Sequence, residues 1–286
     1  MFPSSSTVLS AAAGTVRLLA RENAYTSLRD LPRLLRHPVW RTGRGNRGEG
    51  LGVLLVPGFF AGSPSLALTR RWLQARGFRP RSADIGFDIG CTGELVDRLE
   101  EQLAEHVRDT GGRVVLLGHS RGGGLARLTA ARRPDLVRGL IMLGSPVVDP
   151  LGAHPAVLGA ARLLARLSAV GLPGLLTADC LTGRCRDDNV AGLAAPLSPG
   201  VPALSVFSRR DAIVPWRSSL DPSATHVEVR STHLGLPVDP DVYSAIEPVL
   251  TTWAHDAVEL AAAQPARGGG AACRAGRRER QVSRGR

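Results

Sequence analysis

The sequence contains no lysine, few aromatic side chains and only four cysteines. Since all 36 basic side chains are arginine, the residue choice reflects codon bias as much as a charged partner. Four cysteines are too few for a disulfide-stabilised scaffold. No apolar run reaches the length of about 18 residues that a membrane-spanning helix needs. The hydrophobic fraction of 43% over 286 residues nevertheless predicts a protein with a sizeable buried core.

The net charge of +11 is concentrated at the two ends of the chain. Residues 1–50 carry eight arginines against three acidic residues, and residues 265–286 carry seven against one. The stretch between them has 21 of each and is neutral, so the sequence predicts no nucleic-acid partner. Solvated, flexible ends are the favoured interpretation, and peripheral membrane contact through the N-terminal segment is the alternative. The apolar patch at residues 8–16 follows no positive charge and is a poor secretory signal, so we expect a cytoplasmic or membrane-peripheral protein.

The cysteines allow one local pairing. Cys180 and Cys185 lie close along the chain between glycine and polar residues, so a loop-closing disulfide is an open alternative to two free thiols. Cys91 and Cys273 have no other cysteine nearby along the chain and are predicted to be unpaired. Because no histidine or second cysteine pair stands at metal-ligand spacing, the sequence predicts no metal site.

The central part of the chain alternates apolar runs with amphipathic stretches. The run Gly52–Val56 is typical of a buried strand, and Glu94–Val107 places an apolar residue at every fourth position, as on one face of a helix. This alternation predicts a parallel sheet covered by helices, with a functional site at the carboxyl ends of the strands. We assign residues 51–149 and 201–262 to this α/β core.

Three segments fall outside the alternation. Residues 1–50 combine an amphipathic helical segment with a glycine-rich linker, and residues 265–286 form a basic tail predicted to be disordered. Residues 150–200 interrupt the alternation and predict a small helical cap over the carboxyl ends of the strands. The apolar side of this cap is expected to line an acyl pocket, although a plain packing helix fits nearly as well. Its members are Val157, Leu158, Leu163, Leu164, Leu167 and Val170.

The stretch Arg113–Gly124 has the pattern of a strand, a tight turn and a helix. The apolar run Val114–Leu117 leads into Gly118-His119-Ser120-Arg121-Gly122, and a helical stretch follows. Glycines two residues before and after Ser120 suit a sharp, strained turn, because side chains there would collide with neighbouring elements. The pattern predicts a nucleophilic serine raised above the sheet, and a plain glycine-rich loop is the alternative.

Ser120, Asp211 and His233 each follow a predicted strand, in that order along the chain. A serine hydroxyl at its ordinary pKa is a weak nucleophile and needs an adjacent base. His233 would accept the Ser120 proton and later return it to the leaving group. Asp211 would hold the imidazole in the required tautomer and stabilise its charged form. This chemistry requires no cofactor.

Three other histidines are alternatives for the base. His226 lies in an alternating strand pattern, His255 lies on the terminal helix, and His119 is directed away from the serine that follows it. We favour His233, because it follows the last predicted strand.

The acid has alternatives of its own. Asp149 follows the preceding strand, a position that some hydrolases use, whereas Asp187 and Asp188 fit the surface of the cap. We favour Asp211, because Asp-x-x-Val-Pro after a buried strand is the commoner arrangement.

Two backbone amides are candidates to stabilise a developing oxyanion. The N–H of Arg121 lies at the start of the helix after Ser120 and points to where the oxyanion would form. The second candidate is the N–H of Phe59, in the glycine-containing turn Pro57–Gly62 that follows the first buried strand. An ordinary strand-ending turn is the alternative at that position.

Together these motifs resemble the α/β-hydrolase superfamily over residues 50–262. The resemblance is carried by Leu54–Phe59, Gly118–Gly122, Leu143–Pro146, Asp211–Pro215 and Ser231–His233. It implies an α/β-hydrolase fold with a mostly parallel sheet flanked by helices. About six strands are expected, since nothing before residue 50 resembles the family's first antiparallel strands. Pro57-Gly58 stands where the family usually has His-Gly, a change that keeps the backbone donor.

The resemblance also implies a function. It is that of a serine esterase or lipase acting on small-molecule or lipid-like esters through an acyl-enzyme on Ser120. Acyltransferases and thioesterases of the superfamily use the same triad, and a non-catalytic lipid-binding protein is a further alternative. A narrower resemblance, to actinobacterial lipase/esterase-like proteins, rests on Ile89–Glu94 and the Cys180–Cys185 segment.

Overall fold

The computed structural model describes Glu22 and residues 29–42 and 45–263. The strands of its central sheet are β1 Gly52–Val56, β2 Arg79–Ser82, β3 Val114–His119, β4 Val137–Leu143, β5 Ala203–Phe207 and β6 Thr225–Glu228. All neighbouring strands are parallel, in the order β2-β1-β3-β4-β5-β6. The predicted parallel sheet of about six strands is therefore confirmed.

Helices connect the strands and flank the sheet. Those of the described residues are α1 Leu31–Arg36, α2 Pro38–Arg41, α3 Ala67–Gln74, α4 Thr92–Thr110, α5 Arg121–Arg132, α6 Pro155–Ala169, α7 Asp179–Thr182, α8 Arg184–Ala194 and α9 Pro240–Ala263. Short 3-10 helices lie at Ser63–Leu66, Trp216–Ser219 and Leu236–Val238. Within the described part of the chain, no helix is both long and apolar enough to cross a membrane.

Strand β1 illustrates why the sheet strands are continuously apolar. Val53 and Leu55 belong to a buried cluster that contains side chains of α1, α3 and α9. Leu54 and Val56 belong to a second cluster, with side chains of α4, α5 and α8. Helices thus cover both faces of the sheet, and a strand buried on both faces cannot alternate apolar with polar residues.

The N-terminal segment packs against the first of these faces. Leu34 of α1 is fully buried, and the indole N–H of Trp72 donates to the carbonyl of Val39 at 2.9 Å. The described part of the predicted amphipathic segment is therefore docked on the domain. Residues 1–21 and the predicted tail at 265–286 lie outside the described residues.

Residues 150–200 form α6, α7 and α8. Helix α6 ends at Ala169. Gly171 adopts a φ of 96°, and Pro173 follows two residues later, so the helical hydrogen-bond pattern cannot continue. A third buried cluster joins these helices to Phe59 and other residues of the loops after β1 and β2.

Candidate active site

Ser120 lies at the junction between β3 and α5, where the chain reverses direction sharply. Its backbone has φ 54° and ψ −130°, a conformation that residues other than glycine rarely adopt. Its N–H donates to the carbonyl of Leu143 at 2.8 Å, and its carbonyl accepts the N–H of Gly123 at 2.9 Å. These bonds to β4 and to the first turn of α5 hold the strained residue in place.

The glycines around Ser120 are required by close approach of the backbone. A Cβ atom at Gly118 would lie 2.5 Å from the carbonyl oxygen of Gly122. A Cβ atom at Gly122 would overlap the carbonyl oxygen of Pro57 in the turn after β1. The turn therefore packs tightly only because these positions carry no side chain.

The structure brings Ser120, Asp211 and His233 into one hydrogen-bonded chain. Nε2 of His233 lies 2.9 Å from Oγ of Ser120, and Nδ1 lies 2.6 Å from Oδ2 of Asp211. The other carboxylate oxygen of Asp211 accepts the N–H groups of Ile213 and Val214 at 2.9 and 2.7 Å. The side chains of His233 and Asp211 are only 3% and 2% exposed. The carboxylate is therefore fixed by its own turn and shielded from water beside the imidazole.

His119 lies against the ring of His233. The two ring centroids are 4.9 Å apart, and Nε2 of His119 lies 3.0 Å from the carbonyl oxygen of His233. Burial lowers the pKa of His119 to about 3, and the neighbouring His233 acts in the same direction. His119 is therefore neutral near pH 7, and in the tautomer with Nε2 protonated it donates to that carbonyl. It supports the backbone of His233 without placing a second positive charge beside its ring.

The alternative bases and acids lie elsewhere. Nε2 of His226 is bonded to the carbonyl of Asp221 at 2.9 Å, and His255 pairs with Glu49 at 3.3 Å. Asp149 is exposed after β4. The remaining alternatives, on α8, are Asp187 and Asp188, whose side chains are 68% and 71% exposed.

Phe59, Ser120 and Arg121 line one cavity at the carboxyl ends of the strands. Arg121 is the first residue of α5, so its N–H has no acceptor one turn earlier in the helix. Phe59 follows Gly58, where a Cβ atom would lie only 3.0 Å from the Cβ of Ser120. The turn after β1 therefore passes directly against the serine. Both predicted oxyanion donors thus belong to residues that line the same cavity as Ser120.

The side chain of Arg121 is held by Asp88, a buried carboxylate that no sequence pattern indicates. Arg121 donates to Oδ1 of Asp88 at 2.6 Å, to the carbonyl of Gly90 at 2.9 Å and to the hydroxyl of Thr92 at 3.0 Å. Asp88 is fully buried, and burial raises its pKa to about 7 although Arg121 opposes the shift. These bonds anchor the loop before α4 to the first turn of α5.

Apolar side chains of α6 form part of the cavity wall. Val157 and Leu158 line the cavity, whereas Leu164 and Leu167, also expected there, are not among its lining residues, and Leu164 belongs to the third buried cluster. Leu163 and Val170 are 56% and 77% exposed, so the expectation that they line the pocket is wrong. Residues on one face of a helix are three or four positions apart. Leu163 is five positions from Leu158, so its side chain points to a different side of the helix.

Three cysteines come together beside this cavity. Sγ of Cys185 lies 3.7 Å from Sγ of Cys91 and 3.7 Å from Sγ of Cys180, and all three thiols are free. Cys180 and Cys185 are therefore not joined by a disulfide in this structure. Cys91 has no other cysteine nearby along the chain, but in the folded structure it lies beside the thiols of Cys180 and Cys185. Cys273 lies outside the described residues.

Comparisons with known proteins identify related structures. A family model described as the alpha/beta hydrolase fold matches residues 90–165, which include Ser120. A lipase of Bacillus licheniformis in its mature form superposes with a TM-score of 0.55 and 16% identity, covering 70% of this chain and 92% of that one. A metagenomic carboxyl esterase has a TM-score of 0.57 and 16% identity over 72% and 76% of the two chains. A monoacylglycerol lipase of Paleococcus ferrophilus has a TM-score of 0.51 and 18% identity over 71% and 96%.

At these sequence identities, the similarity concerns the fold alone. No curated protein sequence is significantly similar to this chain. The parallel order of the six strands and the family model nevertheless agree with the solved structures. The chain therefore has the α/β-hydrolase fold.

Proposed function

We propose that this protein is a serine hydrolase that cleaves carboxylic esters, with an apolar acyl group, through an acyl-enzyme on Ser120. One observation carries the proposal. A serine hydroxyl, an imidazole and a buried carboxylate form a continuous chain, with contacts of 2.9 and 2.6 Å. This arrangement supplies the adjacent base that a serine needs to become a nucleophile.

The reaction follows from the positions of these groups. As Oγ of Ser120 attacks the ester carbonyl carbon, Nε2 of His233 takes its proton. The negative charge that develops on the carbonyl oxygen accepts hydrogen bonds from the N–H groups of Phe59 and Arg121, each worth about 3 kcal/mol in the barrier. The tetrahedral intermediate then collapses, and the alcohol leaves with the proton held by His233. Water attacks the acyl-enzyme by the same route and releases the acid.

The Asp211 carboxylate fits the role of orienting group. It accepts the Nδ1–H of His233, which leaves Nε2 unprotonated and directed at Ser120. Its negative charge also stabilises the imidazolium that forms in each half of the reaction. Because the backbone N–H groups of Ile213 and Val214 hold its other oxygen, the carboxylate needs no reorganisation during turnover.

The cavity supports an apolar acyl group as the substrate feature that is recognised. Beside Ser120 its lining is dominated by aliphatic residues, among them Leu125, Leu128, Val157 and Leu158. An apolar chain entering this cavity would gain roughly 0.8 kcal/mol for each methylene group that it buries. A lipase and a carboxyl esterase are among the proteins of similar structure, which agrees with this substrate class.

A fluorophosphonate probe tests the proposed nucleophile directly. We expect a single phosphonylated site per chain, located at Ser120 by peptide mapping, and no labelling after heat denaturation. An unlabelled native protein, under conditions that label a known serine esterase, would instead favour a non-catalytic lipid-binding protein. If Ser120 is labelled, product analysis with an added alcohol separates hydrolysis from acyl transfer.

Chain-length preference should depend on Leu158. The variant Leu158→Trp places a larger side chain in the cavity wall and leaves less room for a long acyl chain. We expect kcat/KM for long-chain p-nitrophenyl esters, relative to that for the acetate, to fall at least about 10-fold, because each methylene group that can no longer be buried costs roughly 0.8 kcal/mol. The matched control is Leu163→Trp, on the exposed face of the same helix, which should leave the ratio unchanged. An equal loss in both variants would place acyl recognition outside this cavity.

The narrower predictions form part of the proposal. Ile89–Glu94 and the Cys180–Cys185 segment support a place among actinobacterial lipase/esterase-like proteins. The expected partners are small-molecule or lipid esters, with peripheral membrane contact through the N-terminal segment.

A further inference from the structure

The three-cysteine cluster joins two parts of the chain that are distant in sequence. Cys91 directly precedes α4 in the core, whereas Cys180 belongs to α7 and Cys185 to α8. The sequence separation between Cys91 and Cys185 is 94 residues. All three sulfur atoms nevertheless lie within 4.8 Å of one another. Spacing along the chain predicts no metal site because it reveals only the Cys180–Cys185 pair.

The sulfur spacing matches that of a tetrahedral metal site. With metal–sulfur bonds of about 2.3 Å, sulfur ligands of a tetrahedral ion are about 3.8 Å apart. Two of the sulfur–sulfur distances here are 3.7 Å. A disulfide requires a bond of about 2.05 Å and would leave the third thiol without a partner. One ion, in contrast, uses all three sulfur atoms with little movement.

Two polar side chains contact the sulfur atoms. The amide of Asn189 donates to Sγ of Cys185 at 3.4 Å, and the hydroxyl of Thr177 lies 3.5 Å from Sγ of Cys180. Such outer contacts orient metal ligands and stabilise charge on sulfur. The three cysteines belong to the third buried cluster, together with Phe59 and Ile89, so apolar side chains surround part of the site. Cys91 and Cys185 are only partly buried, so an ion can reach the sulfur atoms.

We infer that Cys91, Cys180 and Cys185 form a zinc-binding site in which three thiolates and one water complete a tetrahedron. Thiolate ligands in tetrahedral geometry select Zn²⁺ over harder ions such as Mg²⁺. Each thiol releases its proton to solvent when its sulfur binds the ion. Within the described residues, no histidine or carboxylate completes this group, so the fourth ligand comes from solvent.

The ion would fasten α7 and α8 to the loop before α4. Cys180 lines the same cavity as Ser120, so the site lies in the wall of the proposed acyl pocket. Its role is structural, because the chemistry proposed for Ser120 uses no metal. The inference therefore does not depend on the proposed activity.

Cobalt titration tests the site. The full-length protein is reduced with a phosphine, stripped of metal with EDTA and titrated with Co²⁺ under argon. We expect thiolate-to-cobalt charge-transfer absorption and tetrahedral visible bands that saturate at one equivalent per chain and disappear when Zn²⁺ is added. Absence of this absorption in the wild-type protein would overturn the inference.

Serine variants identify the ligands. Loss of a hydrogen bond to a metal ligand can cost roughly 100-fold in affinity. Loss of a ligand itself should cost more, so we expect a weakening of Co²⁺ binding by more than about 100-fold in each of the variants Cys91→Ser, Cys180→Ser and Cys185→Ser. The matched control is Cys273→Ser, which should bind as the wild type does. A loss of affinity in Cys273→Ser, or unchanged affinity in the other three, would contradict the assignment.

A measurement on the wild-type protein tests the site even if the serine variants fail to fold. Zn²⁺ should protect the thiols at 91, 180 and 185, but not that at 273, from alkylation followed by peptide mapping. Equal alkylation with and without Zn²⁺ would overturn the site. So would a protein isolated without reductant that contains a disulfide within this cluster and no zinc, because that result identifies a redox pair.

Discussion

Replacing Ser120 with alanine should lower kcat/KM for p-nitrophenyl butyrate by roughly 10⁶-fold, the loss expected when the nucleophile of a triad is removed. Alanine keeps the backbone conformation of φ 54° but has no Oγ to attack the carbonyl or to bond with Nε2 of His233. The remaining backbone donors at Phe59 and Arg121 should leave only slow catalysis by solvent. Initial rates at a protein concentration high enough to detect this residual activity provide the measurement.

Ser244→Ala is the matched control for this variant. Ser244 is exposed on α9, outside the residues that line the cavity, so its loss should leave kcat/KM within about twofold of the wild type, as for most surface changes. Circular dichroism should confirm that both variants are folded. A folded Ser120→Ala protein with more than a few per cent of wild-type activity would refute the proposed mechanism.

Asp211→Asn should lower kcat about 10⁴-fold with little change in KM, as expected when a triad histidine is held in the wrong tautomer. Oδ1 of Asp211 accepts two backbone N–H groups, from Ile213 and Val214, and only an oxygen can do so. The asparagine therefore directs its NH₂ group toward Nδ1 of His233. Nδ1 must then act as an acceptor, which protonates Nε2 and prevents it from taking the proton of Ser120.

The same substitution at Asp149 tests the alternative acid. Asp149 is exposed after β4, so Asp149→Asn should retain kcat within about twofold of the wild type, as a surface change usually does. The reverse result, with activity lost in Asp149→Asn and kept in Asp211→Asn, would move the carboxylate of the proposed triad to position 149.

The sequence predicts the core elements well because their burial is extreme. The apolar run Gly52–Val56 coincides with β1, and Val114–Leu117 coincides with most of β3, since both strands are buried on both faces. Helix α4 extends beyond its periodic apolar residues, from Thr92 to Thr110, and ends where Gly111 adopts a left-handed conformation. Apolar spacing thus locates a helix, whereas local backbone chemistry sets its ends.

The candidate site is predictable for a related reason. Ser120, Asp211 and His233 follow predicted strands, and the ends of parallel strands meet at one edge of a sheet. Asp88 and Cys91 carry no such signal, because each lies in a glycine-containing loop and meets its partner only in the folded chain. Side-chain contacts across distant loops depend on the tertiary fold and are not encoded by local spacing.

The edge strands of the sheet affect how readily copies of the protein associate in concentrated solution. An outermost strand offers unpaired N–H and C=O groups to which a strand of another molecule can add. Both outer strands here, β2 and β6, have only four residues. In β2, Pro80 has no N–H to donate and lies between two charged arginines. This design opposes the end-to-end joining of sheets that leads to aggregation.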